Sequence, residues 1–151
     1  MKIHELKSSV RVAAPIERVF DFFSRAENLE RLTPASLKFK ILTPLPIEMK
    51  VGSIIDYRLQ LLGIPFGWRT EITVWEPGVR FVDVQRKGPY LLWEHEHLFS
   101  AEGSVTRMED HLRYAVPGGI LEPVIHALFV RRQVEKIFEY RNGEIARIFG
   151  A

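Results

Sequence analysis

Residues 88–99, Gly-Pro-Tyr-Leu-Leu-Trp-Glu-His-Glu-His-Leu-Phe, place Trp93, His95, His97 and Phe99 on every second position. Glu94, Glu96 and Leu98 fall between them. A period of two is the repeat of a β-strand, so the two imidazoles share one face with Cβ atoms roughly 6.5 Å apart. Such a pair has three chemical uses. It can join one metal ion if a third protein ligand is supplied. It can move protons, because imidazole titrates near neutrality. It can also give an apolar pocket a few polar points. The next strand carries Glu109, Asp110 and His111, and its alternation with Met108, Leu112 and Tyr114 makes Asp110 the inward residue. His95, His97 and Asp110 are therefore the candidates for catalysis or metal binding, with polar lining as the plainest use.

The aromatic residues follow the same alternation. Tyr57, Trp68, Phe81, Trp93, Phe99 and Tyr114 fall on faces expected to point inward. Each alone is an ordinary core residue. As a group, Trp and Tyr bring polar atoms that a sealed core must satisfy and a ligand cavity can use. The expected binding set is Tyr57, Trp68, Trp93, His95, His97, Asp110 and Tyr114. Asp83 and Gln85 share the face of Phe81, so Asp83 either pairs inside with Arg69 or Arg113 or is turned to water by a bulge. Arg141 lies on an apolar helical stripe, where its fork can be offered to an acidic ligand group. The sequence has no Gly-rich phosphate loop, G-x-S-x-G elbow or H-E-x-x-H pair.

The elements that must position these residues read as follows. Residues 2–13 alternate as a half-buried strand. Pro15 opens a short amphipathic helix over 15–24, with Ile16, Val19, Phe20 and Phe23 at i, i+3, i+4 and i+7. A second short helix is expected at Asn28–Thr33, stopped by Pro34. Strands follow at Leu37–Thr43, Ser53–Leu62, Phe66–Trp75, Val79–Arg86, the His95/His97 segment and Val105–Val116, joined by short Gly/Pro turns. In Phe66–Trp75 the expected inward face is Phe66, Trp68, Thr70, Ile72 and Val74.

The last thirty residues are helical but carry two stripes. Leu121, Val124, Ile125, Leu128 and Phe129 make one; Val130, Val134, Ile137, Ile145 and Ile148 make the other. At 100° per residue the stripes point in roughly opposite directions, which predicts a break or re-aimed segment at 119–129. A long helix then spans about 129–149, continuous through Asn142-Gly143. A sheet of this length needs a cover, and only that helix is long enough.

The totals agree with this layout. The chain has 151 residues, 46% hydrophobic and 26% charged, which suits one globular domain over 1–151. A net charge of +2 gives no support to nucleic-acid binding. The absence of cysteine removes thiol nucleophiles, disulfides and thiolate metal sites. No transmembrane segment and no signal peptide is expected, which makes a cytoplasmic location the default. The oligomeric state is left open.

Four stretches together resemble the START-like (Bet v 1-like, SRPBCC) superfamily: Ala14-Pro15 to Phe23, Asn28-Leu29 to Thr33-Pro34, the Gly-Pro-Tyr to His-Leu-Phe run, and the terminal helix with Ile-Phe-Glu-Tyr-Arg. The third and fourth are similar to a bacterial branch near polyketide cyclase/dehydrase and coenzyme-Q-binding proteins. The resemblance implies an α+β helix-grip fold, β-α-α-β6-α, in which a curved antiparallel sheet of about seven strands wraps a long C-terminal helix. It also implies a cavity between sheet and helix for a lipid, isoprenoid or polyketide-like molecule, used for carriage, sensing or presentation. It brings no metal or other cofactor, and none is expected. The rival reading is a cofactor-independent cyclase or dehydratase using His95 or His97 as general acid/base.

Overall fold

The computed structural model describes residues 1–150. Seven strands form one antiparallel sheet: β1 (His4–Val12), β2 (Lys40–Ile41), β3 (Ile54–Leu61), β4 (Ile64–Glu76), β5 (Arg80–Lys87), β6 (Leu92–Glu102) and β7 (Val105–Ala115). Their order is β1-β7-β6-β5-β4-β3-β2, so only β1 leaves its sequence neighbour to pair across the sheet. Between β1 and β2 lie helix α1 (Ile16–Phe23) and two 3-10 turns, Ala26–Leu29 and Ala35–Leu37. After β7 the chain stays helical from Gly119 to Phe149, through a 3-10 turn, α2 (Glu122–Ile125), a π turn (His126–Val130) and α3 (Arg131–Phe149). This is the α+β helix-grip arrangement.

Alternation forms the inner face. Ile55, Leu59 and Leu61 of β3, Trp68, Thr70 and Ile72 of β4, and Met108, Leu112 and Tyr114 of β7 are all buried. Helix α3 answers with Val134, Phe138, Arg141, Ile145 and Phe149, spaced by three or four residues as one stripe. The apolar interior divides in two. One cluster joins Phe20, Phe23, Phe81, Phe99, Met108, Ile145 and Phe149 under α1. The other joins Leu59, Leu61, Trp68, Tyr90, Leu112, Tyr114, Val134 and Phe138 under the first half of α3.

Four expectations from the sequence are corrected. The strand expected at Leu37–Thr43 shrinks to Lys40–Ile41, because Pro34 starts a 3-10 turn that consumes Ala35–Leu37. The second short helix is a 3-10 turn over Ala26–Leu29, and the Asn28 side chain within it donates to the Phe22 carbonyl in the last turn of α1 at 2.8 Å. Val74 does not continue the inward face of β4. The ladder shifts between Ile72 and Val74, leaving Thr73 out of the pairing, and Trp75 instead packs inward on Phe20 and Phe81, with 5.3 Å between ring centroids in each case.

The fourth correction concerns the helix at 119–129. It does not break; the π turn adds a residue and re-phases the helix, so Ile125 and Val130 pack on the interior. Leu121, Val124, Leu128 and Phe129 stay at least half exposed. Asn142-Gly143 leaves α3 uninterrupted, and the Asn142 side chain donates to Ser8 Oγ of β1 at 3.0 Å.

Candidate ligand cavity and its polar floor

Strand β6 stands between β5 and β7, and that placement decides what its inner face can touch. Opposite His95 lie Asp83 of β5 and Leu112 of β7; opposite His97 lie Phe81 and Asp110. The closest hydrogen bonds run diagonally. His95 Nε2 is 2.8 Å from Asp110 Oδ1, and His97 Nε2 is 2.6 Å from Asp83 Oδ2. The directly opposed pairs are looser, at 4.0 Å for His95 Nδ1 to Asp83 and 3.6 Å for His97 Nδ1 to Asp110. Each imidazole therefore sits between two carboxylates.

Helix α3 supplies the fifth member. Arg141 Nη1 donates to Asp110 Oδ2 at 2.8 Å, and Nη2 lies 3.5 Å from His97 Nδ1. The side chain is buried, with its guanidinium over the rings of Phe23 and Phe138. Asp110 has no exposed surface. Burial alone would raise its pKa, but the charge of Arg141 and the bond to His95 outweigh that and hold it below the usual carboxylate range. Asp83 is likewise pushed up by burial and brought below its ordinary value by His97. Both are ionised and can only accept, so each histidine donates through Nε2. Burial and the neighbouring His95 push the His97 imidazole down to about 4.

The rings form a column. Phe81 stacks on His97 at 4.1 Å and His97 on His95 at 3.7 Å, and beyond His95 the ring of Phe138 lies at 5.4 Å. His97 is thus sealed on both faces. His95 and Arg141 are different: they line a space of about 130 Å3 between sheet and α3, together with Tyr57, Trp68, Tyr90 and Trp93. A second, more apolar chamber of about 330 Å3 lies towards the start of the C-terminal helix, bounded by Phe66, Val116, Gly118, Ile125 and Val130. Leu61 and Tyr90 line both chambers and separate them.

Of the seven residues expected to bind, Tyr57, Trp68, Trp93 and His95 line the inner chamber. His97 and Asp110 lie behind His95, and Tyr114 turns its hydroxyl to His126 Nε2 at 2.7 Å, outside the chamber. Asp83 pairs with neither Arg69 nor Arg113, which bind Asp56 at 2.8 Å and Glu94 at 3.5 Å across adjacent strands. Arg141 does reach the interior, but its fork is engaged by Asp110. Tyr90 was missed because it lies in a turn. Its backbone is clamped by Gln85, whose side-chain amide donates to Tyr90 O at 2.7 Å and accepts from Tyr90 N at 3.1 Å.

Among the described residues, two buried side-chain polar atoms lack a partner, Asn142 Oδ1 on α3 and Trp68 Nε1. Trp68 lines the inner chamber, and its indole Nε1 is buried without a hydrogen bond. Among the described residues, two groups of side chains have ligand atoms close enough to share a metal ion: Asp83, His95 and His97, and separately His4, Glu122 and His126. In the first, the Arg141 guanidinium stands beside His97 and Asp110, where a metal cation would meet repulsion.

The sequence matches the family described as polyketide cyclase / dehydrase and lipid transport over residues 12–140. The chain belongs to this family. No curated protein sequence matches it. Among solved structures, the Zhui aromatase/cyclase from Streptomyces sp. R1128 is similar at 14% identity, covering 97% of this chain and 96% of that one, with a TM-score of 0.69. A START superfamily protein from Mycobacterium smegmatis aligns at 15% identity over 96% of this chain and 99% of the other, with a TM-score of 0.66. Norcoclaurine synthase from Thalictrum flavum, in complex with dopamine and hydroxybenzaldehyde, aligns at 12% identity, covering 97% of this chain and 86% of that one, with a TM-score of 0.66. As a member of this polyketide cyclase / dehydrase and lipid transport family, the chain has a fold that binds hydrophobic ligands. No helix among the described residues is long and apolar enough to cross a membrane.

Proposed function

We propose that this family member binds a ring-bearing hydrophobic small molecule, of isoprenoid or polyketide-like type, for carriage or presentation. The ligand's ring system occupies the inner chamber and its apolar remainder extends past Leu61 and Tyr90 into the outer one. The observation that carries this reading is the unpartnered N–H of Trp68, a residue that lines the inner chamber with Tyr57, Tyr90, Trp93 and Phe138 among leucine and isoleucine side chains. A buried donor left unmade costs about 1–3 kcal/mol, and a ligand carbonyl or hydroxyl oxygen would recover it. His95 and Arg141 add the second polar contact. The inner chamber alone is below the roughly 300–1,000 Å3 of drug-sized sites, so the ligand spans both chambers.

A second reading is cyclase or dehydratase chemistry, favoured by the His95–Asp110 bond. With Nε2–H donated to Asp110, His95 keeps the Nδ1 lone pair as a base, in an orientation fixed by a buried carboxylate that Arg141 holds ionised. His97 has no such access, being stacked between Phe81 and His95.

Native mass spectrometry of the protein purified from its own source tests the first reading. One bound hydrophobic molecule per chain is expected, and its loss in Trp68→Phe would tie it to the unpartnered N–H. A ligand-free chain that fails to take up any added bicyclic phenol would defeat it. Conversion of the bound molecule by the wild type but not by His95→Ala, with binding intact in both, would favour the enzyme.

A further inference from the structure

The second histidine cluster lies away from the cavity floor, where β1 meets the start of the C-terminal helical segment. His4 comes from β1, Glu122 from α2 and His126 from the π turn, and their ligand atoms lie within 4.8 Å of one another. His4 Nε2 is 2.7 Å from Glu122 Oε1, and the rings of His4 and His126 face each other at 3.4 Å. The carboxylate is nearly buried, at 7% exposure. Beside the cluster is a polar cleft of about 310 Å3, shared by His4, His126, Tyr114, Arg131 and Glu135.

We propose that His4, Glu122 and His126 form a binding site for a divalent transition-metal ion of the zinc type, with its open coordination position facing this cleft. Two imidazoles and one carboxylate are a ligand set that zinc takes when it leaves a fourth position to water or another small ligand. Glu122 and His126 are four residues apart on a helix and so share a face. The hydrogen between His4 Nε2 and Glu122 Oε1 marks the place of the ion. On binding, His4 moves that proton to Nδ1 or releases it to solvent. The Tyr114 hydroxyl holds Nε2 of His126 at 2.7 Å, which leaves Nδ1 to ligate and sets the ring's orientation.

The surroundings suit a cation better here than at the cavity floor. Arg131, at the cleft's rim, donates to Glu135 at 3.1 Å. Parallel rings cannot aim two lone pairs at one point, so the His4–His126 stack opens when the ion enters. The ion would tie the edge strand to the segment whose Ile125 and Val130 wall the outer chamber.

The test uses tag-free full-length protein stripped with EDTA, titrated with zinc by calorimetry and with cobalt by visible absorption. One ion per chain is expected, with a dissociation constant below roughly 10 μM at neutral pH. At a hundredfold excess over that constant, Tm rises by roughly 5–10 °C. His126→Ala and Glu122→Gln each weaken binding at least tenfold, whereas His111→Ala, on the exposed sheet face, leaves it unchanged. His4→Gln, at the sheet edge, repeats the test if His126→Ala loses its cooperative melt. No stoichiometric binding, or binding unchanged in both His126→Ala and His4→Gln, overturns the site.

Discussion

Five side chains set the chemistry of the cavity floor, and their charges explain why they sit together. Two ionised carboxylates, Asp110 fully buried and Asp83 partly so, would be costly alone beneath a sheet, but Arg141 and two donating imidazoles satisfy them. That arrangement has a pH signature. His97 is held at about 4 in the folded chain against an ordinary 6.5, so between these values the unfolded state binds a proton that the folded state does not. Stability is therefore full above about pH 6.5 and falls as the pH drops towards 4, by on the order of 3 kcal/mol. Urea midpoints measured across that window should show the decline, and His97→Gln should flatten it. An unchanged slope would mean that His97 is protonated in the fold. His126, also lowered, contributes in the same direction and remains in that variant. The inward placement of His95, His97 and Asp110 was legible from period-two spacing alone. The diagonal pairing was not, because it depends on the register between three strands. Arg141 was legible only as an oddity, a charge on an apolar stripe.

At the scale of elements, the C-terminal helix shows where local pattern gives out. Two opposed stripes predicted a break or a re-aimed segment at 119–129, and a π turn at His126–Val130 re-phases the helix without a break. Helix propensity cannot distinguish the two, since the extra residue in the turn is stabilised by packing of Ile125 and Val130 rather than by its own preference. The outer stripe of Leu121, Val124, Leu128 and Phe129 remains in solvent, which no amphipathic reading anticipates. In β4, a single unpaired residue at Thr73 exchanges Val74 for Trp75 on the inner face, again invisible to strict alternation. The entry to the helical segment turns on Gly118, whose φ of 136° is open to glycine and strained for other residues. A Cβ there would also stand 2.7 Å from Ile125 Cδ1, in the wall of the outer chamber. Gly118→Ala is therefore expected to cost about 1–3 kcal/mol in urea unfolding and to weaken ligand binding together with stability. A neutral result in both would show that this turn does not position the chamber wall.

For the whole molecule, the order of elements and the sheet-on-helix design followed from hydrophobic period, turn residues and the need to cover one long apolar face. The cavity itself is a difference between what the curved sheet and α3 could fill and what they do fill. Its volume depends on side-chain packing that no sequence pattern carries. The three tryptophans report on that space independently. Trp68 and Trp93 line the inner chamber, whereas Trp75 packs with Phe20 and Phe81 in the other cluster. The most direct measurement is the set of three indole N–H resonances of 15N-labelled protein titrated with 2-naphthol, assigned by single Trp→Phe variants. A saturable shift of the Trp68 resonance is expected, with a smaller one at Trp93, while Trp75 stays in place. Indole signals from Trp68 and Trp93 that stay put at saturating naphthol, or that move no more than Trp75, would contradict ligand binding in the inner chamber.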